Sequence, residues 1–161
     1  MSQSKRYTLI NNHIGRGSLL SQSNHALNEL WRNFYEKKFT EEGNKLMLNW
    51  LENPIEVVVQ GGIHKQLEEF YKELQDFQGL AIGKFNESMD DLQGACTAVT
   101  FIATDRIVAM NNYLRFNNIP HPEKLSHLKT LSATDLSFQD NVAPTDTEMR
   151  IAAYIATLEK I

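Results

Sequence analysis

Apolar positions along the 161-residue chain recur at two periods. Short runs of β-branched and aromatic residues read as strands, and longer stretches with apolar residues three and four apart read as helices. Tyr7–Ile10, after a polar start, predicts a first strand. From Ser18 to about Lys38 the spacing predicts a strong helix. At about 100° per residue, Leu19, Leu20, Leu27, Leu30, Trp31 and Phe34 share an arc of roughly 120°, and Ser18, Gln22, His25 and Glu29 cluster opposite. Thr40–Leu51 predicts a second helix, with Thr40 as N-cap ahead of Glu41 and Glu42, broken by Asn53-Pro54. Val57-Val58-Val59 within Ile55–Gln60 predicts a strand buried on both faces. Ile63–Phe77 is helical in period and ends near Gly79. Leu80–Phe85 and Cys96–Ala103 predict the third and fourth strands, and Asp105 caps a helix running to about Phe116. Residues 117–144 hold three of the four prolines and read mostly as loop, with a short helix near Glu123–Lys129. Thr145 or Asp146 then caps a last helix, Glu148–Lys160.

Strands separated by helices indicate an α/β domain with at least two crossover connections. Ligands of such sheets gather near strand C-terminal ends and helix N-termini. The Asn11–Ser18 loop stands at such a place.

Composition narrows the picture in three ways. A net charge of −4 argues against broad, non-specific nucleic-acid binding, which depends on Lys and Arg neutralising phosphates. It leaves room for a local basic patch serving one RNA end. Cys96 is the only cysteine, so no intramolecular disulfide forms, as expected in the reducing cytoplasm. The stretch MSQSKRYTLINN has no long apolar run, so no signal peptide is expected. No run approaches the ~20 residues of a membrane helix.

Candidate chemistry concentrates in Ile14–Ala26, I-G-R-G-S-L-L-S-Q-S-N-H-A. Gly15 and Gly17 allow a ligand close to the backbone, the following helix start offers free N–H groups, and Arg16 adds a forked cation for a carboxylate or phosphate. On spacing alone the plainer reading is a flexible turn with an exposed arginine. Ser18, Gln22 and His25 follow one another at single helical turns. His25 is a candidate general base, with Gln22 orienting water or a carbonyl; the plain alternative is a solvated polar face. Asn86, Glu87, Asp90 and Asp91 form an acidic loop that offers a carboxylate or is simply a solvated connection. His13 and His25 lack the spacing of a metal site. Cys96, at the head of an apolar strand, reads as a buried small hydrophobe.

The same stretch resembles the signature of type 2 peptidyl-tRNA hydrolases: a hydrophobic residue, Gly-Lys-Gly-Lys, three small or apolar residues, Gln, two small residues, His and Ala. Gly15, Gly17, Gln22, His25 and Ala26 match at unbroken spacing. More weakly, Trp50 with Val57–Val59, the Gly79–Phe85 strand, and Gly94 with Thr97 fall in the family's order. The resemblance covers roughly residues 5–116. It implies a mixed four-stranded sheet flanked by helices, no metal or organic cofactor, and hydrolysis of the ester joining a peptide to the 3′ end of tRNA by activated water, with the oxyanion held by donors. Carried over by position, Gln22, His25 and Glu87 would be catalytic, and Gly15, Arg16, Gly17, Ser18, Asp91 and Thr97 would bind substrate.

The chain departs from that pattern at several positions. Arg16 and Ser18 replace two lysines. In place of Asp-x-Gly-x-Thr the chain has N-E-S-M-D-D-L-Q-G, where either Glu87 with Asp91 or Asn86 with Asp90 takes the family's positions. Residues 117–161 form an extension or insert on the same domain, with three roles open to it: covering a sheet edge, making a homodimer contact, or narrowing the substrate site. Beside the hydrolase stands a non-catalytic binding module of this fold for a tRNA or RNA end or a protein partner, and, more remotely, a hydrolase of another ester or amide.

Overall fold

The apolar runs form four strands of one mixed sheet: β1 (Lys5–Ile10), β2 (Glu56–Gln60), β3 (Ala81–Asn86) and β4 (Cys96–Ala103), in the order β2-β1-β4-β3. The structure is a computed structural model and describes residues 4–77, 79–89 and 92–161, the side chains of Arg16 and Leu92 excepted. β1 runs parallel to β2 and antiparallel to β4, which is antiparallel to β3. Among the described residues six α-helices flank the sheet: α1 (Leu19–Tyr35), α2 (Glu41–Glu52), α3 (His64–Asp76), α4 (Asp105–Phe116), α5 (Lys124–Leu128) and α6 (Asp146–Thr157). This is the α/β class expected from the sequence. Among the described residues no helix is long and apolar enough to cross a membrane.

One sheet face meets α1 and α2 through Ala26, Leu30, Met47 and Trp50, packed on Ile10, Ala81, Ala98 and Ile102. The other carries Tyr7, Leu9, Val99 and Phe101 into a larger core with α3, α4 and α6. Residues 117–161 therefore share a core with the central strands. Arg115 of α4 donates to the Ile155 and Leu158 carbonyls at 2.7 and 3.1 Å, satisfying the open C-terminus of α6. The chain then leaves the helix, and residues 159–161 pair with β2: Gln60 N–H donates to the Glu159 carbonyl, and Ile161 N–H to the Val58 carbonyl. The extension thus takes the first of its three open roles.

Several local expectations change. α1 ends at Tyr35 rather than near Lys38, because Lys37 turns to a positive φ of 59°. Thr104, not Asp105, caps α4, accepting from Ile107 N–H at 3.3 Å. α6 begins at Asp146 and ends at Thr157, its start closed by a capping box between Thr145 and Glu148. β2 is an outer strand, so of its three valines only Val59 is fully buried.

The larger change concerns α1. Its buried residues are Gln22, Ser23, Ala26 and Leu30, while Leu20 is 74% exposed. The helix is turned by roughly 70° from the centre of its apolar arc, at about 100° per residue. Leu27, Trp31 and Phe34 instead pack sideways in the cluster built on Met47 and Trp50 of α2. The cause lies in the sheet, which offers α1 a polar strip. Arg6, only 1% exposed, reaches Ser23 and Thr100 at 3.2 Å and Glu56 at 2.9 Å, and Thr8 bonds Thr100. Gly83 admits the helix: a Cβ there would lie 2.8 Å from Leu30 N.

Candidate active site

Three segments meet at one rim of the sheet: the loop after β1, the loop after β3 and the start of β4. β4 carries an irregularity here. Ala98 pairs with Phe85 and Cys96 with Asn86, leaving Thr97 as an extra residue. Such a bulge breaks the alternation of faces. Cys96 enters the core on the α3 side, while Ala98 and the Thr97 hydroxyl face α1.

The turned α1 brings Gln22 onto that hydroxyl. Thr97 Oγ1 donates to Gln22 Oε1 at 2.7 Å, and Gln22 Nε2 donates to Glu87 Oε1 at 3.0 Å. Thr97 is fully buried and Gln22 is 7% exposed, whereas Glu87 is half-buried at the mouth. Both ends of the amide are used, which fixes its orientation and presents a donor to the carboxylate. Glu87 N–H donates to the Ala95 carbonyl, holding the loop closed. Among the described residues Glu87 Oε2 takes no hydrogen bond.

His25 joins the rim but not this chain of bonds. Its ring stacks on Phe85 with centroids 4.5 Å apart, and its Nε2 lies 3.4 Å from Ser21 Oγ. Glu29 pairs with Arg32 rather than with His25. Residues 16–18 form a 3-10 turn leading into α1, and Ser18 N–H donates to the Gly15 carbonyl, while the Ser18 side chain makes no capping bond. A Cβ on Gly15 or Gly17 would meet nothing within 4 Å, and neither has a positive φ. Among the described residues nothing requires glycine at either position. The Arg16 side chain, Asp90 and Asp91 lie outside the described residues. Of the two registers in the acidic loop, Glu87 faces Gln22, whereas Asn86 turns to Glu68 and the Gly94 carbonyl.

Several supporting residues escape a reading of the sequence. Asn11, 6% exposed, donates through Nδ2 to the Cys96 carbonyl and accepts His13 N–H on Oδ1, while its own N–H donates to the Thr97 carbonyl. It fastens the glycine loop to the bulged strand. Asn12 accepts Gly62 N–H at 3.1 Å. Paired asparagines at a strand end were the available signal. His64 had none: its Nδ1 accepts Cys96 N–H at 2.8 Å, which places its proton on Nε2. Burial, reinforced by Glu68, pushes the Cys96 thiol up to about 12, so Cys96 is no nucleophile.

Among the described residues no three His, Cys, Asp or Glu side chains come together to hold a metal ion. The arrangement offers a carboxylate at an opening, an amide and hydroxyl that orient it, an imidazole beside it, and the N–H groups of a helix start. No family model matches the chain, and no curated protein matches it either.

Proposed function

We propose that the chain hydrolyses the ester between a peptide and the 3′ end of tRNA by activating a water molecule. The observation that carries this is the Thr97–Gln22–Glu87 chain of hydrogen bonds, assembled from three segments at the rim beside the Gly15–Ser18 loop. Glu87 uses Oε2, which takes no hydrogen bond among the described residues, to accept a proton from water. Gln22 holds that carboxylate in place, and Thr97 acts through Gln22 as a positioning residue. The N–H groups at the start of α1, with Arg16, receive the developing oxyanion or a backbone phosphate close to the tRNA 3′ end. His25, at the same rim, passes a proton to the leaving ribose oxygen, and the proton taken from water by Glu87 goes back to solvent, so that each group returns to its starting state. The resemblance of Ile14–Ala26 to the hydrolase signature adds support, and the absence of internal constraint on Gly15 and Gly17 fits a loop kept bare for a ligand.

The experiment is release of labelled peptide from peptidyl-tRNA by the purified protein. Turnover above background is expected, falling about 10²-fold or more in Glu87→Gln and Gln22→Ala and about tenfold in Thr97→Val. No release by the wild type, or rates untouched by Glu87→Gln, Gln22→Ala and His25→Ala together, defeats the hydrolase. One observation favours a second function: His25 is engaged by Phe85 and Ser21 rather than by an acid. Under a non-catalytic role the protein binds a tRNA end with steep salt dependence and no turnover.

A further inference from the structure

A concavity walled in part by residues 117–161 lies on the opposite side of the sheet from α1. A cavity of about 430 Å³ opens between α3, α6 and the turn at 121–125, within the range of ligand pockets. Its apolar surface comes from Phe70, Leu125, Ala153 and Tyr154, with the Phe70 and Tyr154 rings 4.9 Å apart. A second cavity, lined in part by Asn12 and Gly62, shares Gln66, His121, Tyr154 and Thr157 with the first. Together they form a groove that begins beside the glycine loop and runs along α3 as far as Glu73. From Gln66 to Glu73 the helix alone covers about 10 Å at 1.5 Å per residue, the length of three extended residues.

The polar groups of the groove select among occupants. Lys124 is 8% exposed, its ammonium donates to the Ile119 carbonyl at 2.6 Å, and among the described residues no carboxylate pairs with it. Two of its N–H donors remain unspent. Across the groove, Glu69 is exposed at the rim near Tyr154 and has no ion pair among the described residues. Glu73 is neutralised by Arg150 at 2.7 Å. The lining thus balances two acids against two bases and presents one spare donor group and one spare acceptor on different walls. A polyanion gains nothing from such a lining. A neutral polypeptide backbone supplies a carbonyl for Lys124 and an N–H for Glu69, while an apolar side chain lies on the Phe70–Tyr154 pair.

We infer that this groove binds a short extended peptide segment with a large apolar side chain, and that in the ester hydrolysis proposed above, on which this last clause rests, it receives the peptide portion of the substrate. The direct test is titration of the full chain with N-acetyl-Ala-Phe-Ala-amide, followed by backbone amide NMR. Perturbations are expected at Phe70, Lys124, Ala153 and Tyr154. They should vanish in Ala153→Trp, which fills the groove, and weaken about tenfold in Glu69→Lys, an exposed change that leaves the fold intact. No binding at millimolar peptide, or perturbations confined to residues outside the groove, overturns the inference. A kinetic arm separates it from the hydrolase. N-acetyl-octapeptidyl-tRNA, long enough to pass the rim and enter the groove, should show about tenfold lower KM than N-acetyl-aminoacyl-tRNA, with the difference lost in Ala153→Trp. Tripeptide binding without hydrolysis keeps the groove and removes the ester chemistry. Hydrolysis with equal KM values and no tripeptide binding does the reverse.

Discussion

Glu68 sits between opposing influences. Burial disfavours its charged form, but hydrogen bonds from Lys84 at 3.0 and 3.1 Å and from Asn86 at 3.3 Å outweigh that cost, and the carboxyl is held below its usual range. A lowered folded pKa means that the carboxylate contributes stability above the unfolded value, near 4.5, and that this contribution disappears as pH falls through the lower folded value. Urea midpoints measured from pH 6 down to pH 3 should therefore decline, and Glu68→Gln should decline less over that interval. Parallel curves for the two proteins would show that Glu68 carries no such linkage. Arg6 illustrates the other side of residue-scale electrostatics. Desolvation lowers its pKa, yet Glu56, Thr100, Ser23 and the Trp50 ring 5.7 Å away engage its guanidinium, and it stays charged inside the sheet.

At the scale of elements, α1 decides the shape of the candidate site. Its period was legible in the sequence, but the face it buries was not. Periodicity shows that a helix has an apolar arc, and that arc found its partner in α2. The face turned to the sheet was chosen by Arg6, Thr8 and Thr100, which lie on other strands and leave no trace in the local pattern. Gln22 and Glu87, 65 positions apart, could be placed together from the sequence only through the resemblance, and Thr97 only because a bulge, set by pairing with β3, reverses its side. By contrast β4 was readable to the residue and α4 to within one residue at its cap, being continuous runs with one period and clear punctuation. The close approach of α1 gives Gly83 a specific importance. Gly83→Ala would place a methyl 2.8 Å from Leu30 N and 3.1 Å from the Ala26 carbonyl, backbone atoms that cannot step aside. A loss of roughly 1–3 kcal/mol in denaturant unfolding is expected, with the Gln22–Glu87 contact loosened. An unchanged unfolding midpoint would mean that α1 does not lie so close.

At the scale of the molecule, the sheet has two outer strands with different protection. β3 is partly covered where Asn33 Nδ2 donates to the Ile82 carbonyl at 2.9 Å. β2 is covered by residues 159–161. Removing 159–161 leaves Gln60 N–H and the Val58 carbonyl without their partners on a strand rich in valine, a template for pairing with another chain. Sedimentation velocity of the 1–158 chain should show association absent from the full chain at equal concentration, and identical profiles would count against this role. Residues 117–161 thus do three things in one structure: they complete the core on α4, close an edge, and form a wall of the groove along α3.

The extra residue in β4 also has a consequence for change in chain length. Along a strand, side is a matter of odd and even, and the bulge at Thr97 is where the count is reset. Deleting one residue there would restore strict alternation. Cys96 and Ala98 already lie on opposite sides and would keep them, so Gln22 would lose its hydroxyl partner with no side chain put in its place. Insertions between Glu87 and Gly94 lengthen a loop and leave that parity alone. Deleting Thr97 would instead take away the hydroxyl that orients Gln22 while leaving nearly every other residue of the protein on its own side.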